Sequence, residues 1–191
     1  FGPPQAGITP ALARRIAAMP ETEAVASRRV LYLQELPGGT TEGLVVAYDP
    51  YALERVDEPS YEGAPRAEIL RGLERGGVVA AKTYAKTHDL AVGDRLTLEG
   101  PSGTRAAPIV GIVDSLDGGG QTIQVSLDTM ASIYGVEQDV QLAVKARSEE
   151  AGKALADKVQ ALMASEYPGL EALSNAEIKQ RAEDAINQQF A

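Results

Sequence analysis

GVVAAKTYAKTHDLAVGDRLTLEGPSGTRAAPIVGIVDSL, residues 77 to 116, is the stretch whose reading decides the fold. Leu96 and Leu98 alternate with Arg95, Thr97 and Glu99, the period of a strand with one apolar face. Gly100-Pro101-Ser102-Gly103 supplies a turn, and Ile109 to Val113 returns as a continuous apolar run. The spacing therefore predicts a hairpin whose second arm is buried on both faces. Gly93-Asp94 makes the sharp turn that feeds the first arm, and Gly111 lets another backbone come close. Upstream, Val78 to Ala81 reads as a short strand and 82 to 88 as a short helix.

Working outward toward the C-terminus, Asp117 and Gly118 to Gly120 form a flexible loop. Ile123, Val125 and Leu127 then alternate with Thr122, Gln124 and Ser126, which predicts a half-buried strand. Asp128 caps a short helix to Tyr134. Val140, Leu142, Val144 and Ala146 mark a further strand before Ser148 starts a helix with the stripe Ala151, Leu155, Val159, Leu162 and Met163, amphipathic and suited to packing on a sheet. Pro168-Gly169 ends it, Leu170 to Leu173 reads as a strand, and Ser174 with Glu177 has capping-box spacing. The last helix carries Ile178, Ala182, Ile186 and Phe190 every fourth residue.

Toward the N-terminus, Pro65 starts a helix with Ile69, Leu70 and Leu73 as its apolar stripe, ended by Gly76-Gly77. Residues 57 to 64 read as loop, Asp49-Pro50 as a brief helical turn, and Leu44 to Tyr48 as a strand. Residues 25 to 36 form a long strand stopped by Pro37-Gly38-Gly39. Thr9 and Pro10 start a helix over 10 to 19, with Leu12, Ile16 and Met19 on one face and Pro20 as its stop. The helix-then-strand unit 10 to 36 is loosely matched by 149 to 173. The expected fold class is α+β with two lobes: residues 1–36 and 139–191 build a mixed α/β lobe, and 37–138 an inserted β-rich lobe.

Composition removes whole classes of function. Against 18 Lys and Arg stand 27 Asp and Glu, so the formal charge of −9 repels a phosphate backbone and excludes nucleic acid as a partner. Cysteine is absent, which excludes disulfides, thiolate metal sites and cysteine catalysis. No apolar run approaches the roughly 20 residues needed to cross a bilayer, and Phe1-Gly2-Pro3-Pro4 lacks the charged start and apolar centre of a signal peptide.

The stretch quoted above, with its short strand, short helix, Leu90-Ala91-Val92-Gly93-Asp94-Arg95-Leu96-Thr97-Leu98, turn and Ile109-Val110-Gly111-Ile112-Val113, resembles the extracytoplasmic (periplasmic core) domain of MacB/FtsX-like ABC transporter permeases. The resemblance covers residues 70 to 145 well and both ends more weakly. It implies a non-catalytic domain inserted between the first and second membrane helices of a permease, without cofactor. It implies a cytoplasmic ABC ATPase as partner through the membrane part, a second permease copy as a further partner, and a place outside the membrane. The competing reading is a stand-alone surface or secreted binding module, and a third is a small enzyme using carboxylates, against which stands the absence of a paired-carboxylate motif. Under the permease reading, the last helix is the natural connection, and apolar runs of about 20 residues are expected on both sides of the chain.

Several residues invite chemistry. Gly76-Gly77-Val78-Val79-Ala80-Ala81-Lys82-Thr83 is one residue from a phosphate-binding loop, Ala81 replacing the Gly before Lys, and no ATP binding is expected. His88, the only histidine, stands at a helix end where the macrodipole favours it and has no clustered metal partners. Ser102, Ser115 and Ser126 lack a GxSxG setting. Asp114 and Asp117 before three glycines lack calcium-loop spacing and its closing Glu. The acids at 54, 57, 58, 62, 68 and 74 form a solvated surface. Tyr48, Tyr51 and Tyr61 either line a groove or pack in a core rim. No catalytic, cofactor-binding or metal residue is assigned.

Overall fold

The computed structural model describes residues 8–39, 41–178 and 180. Its described elements run α1 (Pro10–Ala17), β1 (Thr22–Leu33), β2 (Gly43–Tyr48), α2 (Pro50–Val56), β3 (Tyr61–Glu62), α3 (Arg66–Glu74), β4 (Val78–Ala81), α4 (Lys82–Thr87), β5 (Arg95–Gly100), β6 (Gly103–Val113), β7 (Thr122–Ser126), α5 (Leu127–Tyr134), β8 (Gln141–Ala146) and α6 (Glu149–Glu166). The chain divides into two compact units, one of residues 24–144 and one drawn from 1–23 and 145–191. The boundaries fall inside β1 and β8.

The larger unit holds a mixed sheet of order β3-β6-β4-β7-β2-β1-β8, with β5 pairing β6. Its centre alternates in direction: β2 runs parallel to β7, β7 antiparallel to β4, and β4 parallel to β6. One face carries a core of Val45, Ala47, Ala80, Ile123 and Val125 with Leu96, Leu98, Ile109 and Met130. The opposite face carries a second cluster, in which Ile69 and Leu73 of α3 cover Val79 and Val113. β7 is buried along its whole length, where alternation predicted a half-buried strand, because the face bearing Gln124 is also roofed.

The hairpin forms as expected, Arg95 to Gly100 pairing Pro108 to Gly103. Its second arm is buried on both faces: Ala107 and Ile109, with Ile112 partly buried, lie in the first core, while Val113, with Val110 partly buried, lies in the Ile69 cluster. Gly111 admits a side chain and not a backbone, since a Cβ there would lie 2.7 Å from Cδ1 of Ile69. The turn before the hairpin is held by Gly93 N–H donating to the Ile109 carbonyl (2.8 Å), Ile109 N–H to the Asp94 carbonyl (2.7 Å), and Ala91 N–H to Asp94 Oδ2 (2.8 Å). Gly93 sits at φ +100° with open space around its missing Cβ, so the position demands glycine for its backbone alone. Gly93→Val is expected to cost about 2 kcal/mol through strain. A melting temperature unchanged within about 1 °C would contradict it.

α5 starts one residue earlier than its predicted acidic cap. Ser126 Oγ accepts from Thr129 N–H at 3.1 Å, and Asp128 sits in the first turn, where the helix dipole favours a carboxylate. Arg29 Nε donates to Asp139 Oδ1 at 2.9 Å, and Asp139 is 9% exposed, so this pair ties β1 to the segment before β8.

In the smaller unit, Thr9 caps α1 through Leu12 N–H (3.2 Å), and Leu12 and Ile16 are buried. Ser148 caps α6, which buries Leu155, Leu162 and Met163 while Ala151 and Val159 are half-buried. Arg15 grips both carboxylate oxygens of Glu166, at 2.6 and 2.8 Å, and Arg147 donates to the Pro20 and Glu21 carbonyls at 2.9 Å. Residues 170 to 173 are not a strand. They have no ladder partner, and the Ala172 carbonyl accepts from the Gln160 side-chain amide at 3.5 Å. The capping box forms: Ser174 N–H donates to Glu177 Oε2 (2.7 Å) and Glu177 N–H to Ser174 Oγ (3.2 Å). Of the stripe on the last helix, Ile178 is exposed, and Ala182, Ile186 and Phe190 lie outside the described residues.

Candidate functional site

Most sequence candidates turn out to be committed to the fold. Lys82 Nζ is paired with Glu62 Oε1 at 2.7 Å at the start of α4, and that contact holds its ammonium above the usual lysine range. The loop-like glycines simply join α3 to β4. His88 closes α4; its Nε2 lies 3.1 Å from Thr41 Oγ1 and its ring 4.6 Å from that of Tyr84. No serine stands against it, since Ser126 caps α5, Ser115 Oγ accepts from Asp117 N–H at 3.3 Å, and Ser102 N–H donates to the Ile133 carbonyl at 3.1 Å. The geometry of a nucleophile beside a base is not met by any of them.

The acids and tyrosines divide in an informative way. Tyr51 is exposed and donates to Glu74 Oε2 at 3.3 Å. Tyr61 packs on the Ile69 cluster, and Glu54 is bound by Arg66. By contrast, Tyr48, Asp57, Glu58, Asp114, Asp117 and Gln124 converge on one cleft of about 300 Å³, floored by Leu53 and Val113. Topology explains the convergence. β2, β6 and β7 are close in the sheet, and the segments leaving β2 (through α2 to Asp57 and Glu58) and β6 (Asp114 to Asp117) open at the same place.

Electrostatically the cleft is acidic and only partly neutralised. Arg28, on β1, binds Asp117 Oδ2 at 2.8 Å and Gln141 Oε1 at 2.9 Å, with its guanidinium carbon 5.9 Å from the Tyr48 ring centre. Asp57, Glu58 and Asp114 form no ion pair among the described residues. Burial, helped by Asp117 and Asp57, pushes the Tyr48 phenol up to about 12 against the opposing pull of Arg28. Gln124 is 7% exposed, and its Oε1 has no hydrogen-bond partner. Among the described residues no group of three or more metal-ligating side chains forms, so the cleft lacks the donor set of a cation cage.

Sequence reasoning missed Gln124 and Arg28. Gln124 occupies a polar slot in an alternating strand and so reads as solvent-facing. Its only available signal is its place between two β-branched core residues, Ile123 and Val125.

The sequence model of the MacB-like periplasmic core domain matches residues 2–162. No curated protein sequence matches the chain. Among solved structures, the extracellular domain of the noncanonic ABC-type transporter YknZ from Gram-positive bacteria is similar, with 12% identity, 89% of each chain covered and a TM-score of 0.60. The periplasmic region of MacB from Actinobacillus actinomycetemcomitans is also similar, with 12% identity, 90% of this chain and 80% of that one covered, and a TM-score of 0.58. At these identities the two structures speak for the fold, and the match over residues 2–162 for the family.

Proposed function

The chain belongs to the MacB-like periplasmic core domain family, an extracytoplasmic part of ABC transporter permeases, and from that premise we propose that it couples ATP hydrolysis in a separate cytoplasmic subunit to events outside the membrane. Those events are export or extraction of a substrate, or activation of a partner protein. The partners of this reading are a cytoplasmic ABC ATPase, reached through the membrane part of the parent protein, and a second copy of the permease. The observation that carries it is the family match across most of the chain. It is supported by the candidate serines, histidine and lysine being engaged in structural contacts, which fits a domain that transmits and does not catalyse.

We propose too that the working lobes follow the chain's two ends and its middle, residues 1–36 with 139–191 and residues 37–138. A signal of this kind needs an element with two arrangements and a stiff link to the membrane. No helix among the described residues is long and apolar enough to cross a bilayer. The parent gene is expected to encode about 20 apolar residues before and after the chain.

Because the chain has no cysteine, a single Leu116→Cys, at a site 88% exposed, gives a clean reporter in the full-length protein. A membrane-impermeant maleimide should label it in intact cells whose outer barrier is opened. Labelling only after the inner membrane is broken would refute the placement and the coupling role with it.

A further inference from the structure

We propose that the cleft beside Tyr48 binds an organic cation, an ammonium or guanidinium group carried by a small amine or by a basic side chain of a peptide. Two independent observations meet there. Asp57, Glu58 and Asp114 line the cleft without an ion pair, Glu58 and Asp114 feeling Arg66 and Lys82 only at longer range, which leaves excess negative charge on a concave wall that focuses it. Gln124 lines the same cleft, is 7% exposed, and has an Oε1 with no partner. A buried carbonyl oxygen left unsatisfied is costly, so such an atom marks a place where a donor belongs. An N–H donor carrying positive charge satisfies both demands at once.

The chemistry discriminates among ligands. An anion is repelled by the three carboxylates, and an apolar group would leave Gln124 Oε1 and the acids unpaired. A bare metal ion finds no group of three ligating side chains among the described residues. A planar cation also has an aromatic wall available. The chain's own Arg28 already stands 5.9 Å from the Tyr48 ring centre and 2.8 Å from Asp117 Oδ2, so the wall that holds it is built of groups suited to a guanidinium. The remaining space of about 300 Å³ suits the end of one arginine or lysine side chain and not a large ligand. The inference does not depend on the transporter reading, because it uses only the contents of the cleft.

Calorimetric titration of the whole chain at low ionic strength tests it, using agmatine, acetyl-arginine amide, the neutral acetyl-citrulline amide, and calcium alone. Agmatine, acetyl-arginine amide or both should bind with a Kd of about 1 mM or tighter, weakening as salt screens the cleft. Agmatine alone identifies a free amine as the source, and acetyl-arginine amide alone identifies a peptide. Asp57→Asn combined with Asp114→Asn should weaken binding about tenfold, and Gln124→Leu about fivefold, with the circular dichroism spectrum unchanged. The surface pair Asp57 and Asp114 keeps the test decisive if the buried substitution unfolds the chain. The proposal is overturned by no binding of either cation at about 10 mM, by equal binding of acetyl-citrulline amide, by calcium binding more tightly than agmatine, or by unchanged affinity in the carboxylate variant.

Discussion

Alanine in place of Gly100 is expected to lower stability by about 3 kcal/mol, the largest effect of any single methyl group considered for this fold. A Cβ at position 100 would lie 2.3 Å from the Ile133 carbonyl oxygen and 2.9 Å from its carbon, both backbone atoms that cannot swing aside. That same carbonyl accepts the Ser102 N–H at 3.1 Å, so any retreat of α5 breaks the bond that seats the hairpin tip on the helix. Ile133 and Tyr134, which are 7% and 4% exposed, would leave the core with it. Gly152→Ala gives the opposite sign and serves as control. Its Cβ would meet only the Ala146 Cβ at an ordinary 3.7 Å, and removing a glycine from the interior of α6 should add about 0.5 to 1 kcal/mol. Denaturant titration of the two variants checks both, and a Gly100→Ala loss below about 1 kcal/mol would show that the helix end yields freely.

Raising the pH is expected to remove several kcal/mol between about pH 10 and 12. Burial holds the phenols of Tyr48, Tyr61, Tyr84 and Tyr134 up to about 12. In the unfolded chain the same groups ionise near 10. Between those values the native state retains protons that the unfolded state releases, so folding weakens as pH rises. The contribution is fully present below pH 10 and is lost on passing through about 12, each unit of difference being worth about 1.4 kcal/mol per group. The melting temperature should be flat from neutrality to about pH 9 and then fall steeply, with much of the tyrosinate absorbance appearing only as the chain unfolds. Smooth tyrosinate titration near pH 10 in a chain that stays folded would contradict the burial of these phenols.

How far the fold could be read from the residues depended on whether a signal was local. The hairpin, α1 and α6 are legible because Gly100 to Gly103, Thr9-Pro10 and Ser148 act on their own neighbours. Asp128 and Ser126 show the limit of that resolution, since both can cap a helix and only the backbone angle at Ser126, extended at φ −73° and ψ 159°, decides between them. Leu170 to Leu173 has strand composition and no strand beside it, and a strand is a property of a pair. The cleft is illegible for the same reason. Its walls come from positions 48, 57, 58, 114 and 124, brought together by the pairing of β2 with β7 and of β6 with β4. Gln124 in particular reads as outward-facing until α3 is known to cover that side of the sheet.

The central claim, that this extracytoplasmic domain senses the ATPase cycle, is tested most directly by an environment-sensitive fluorophore on Leu116→Cys in the full-length transporter, purified and reconstituted with its ATPase. ATP added on the ATPase side should change the emission, and the change should vanish when the ATPase is inactivated. Unaltered emission during undiminished ATP hydrolysis, from this label and from a second on the exposed Val140, would contradict the account.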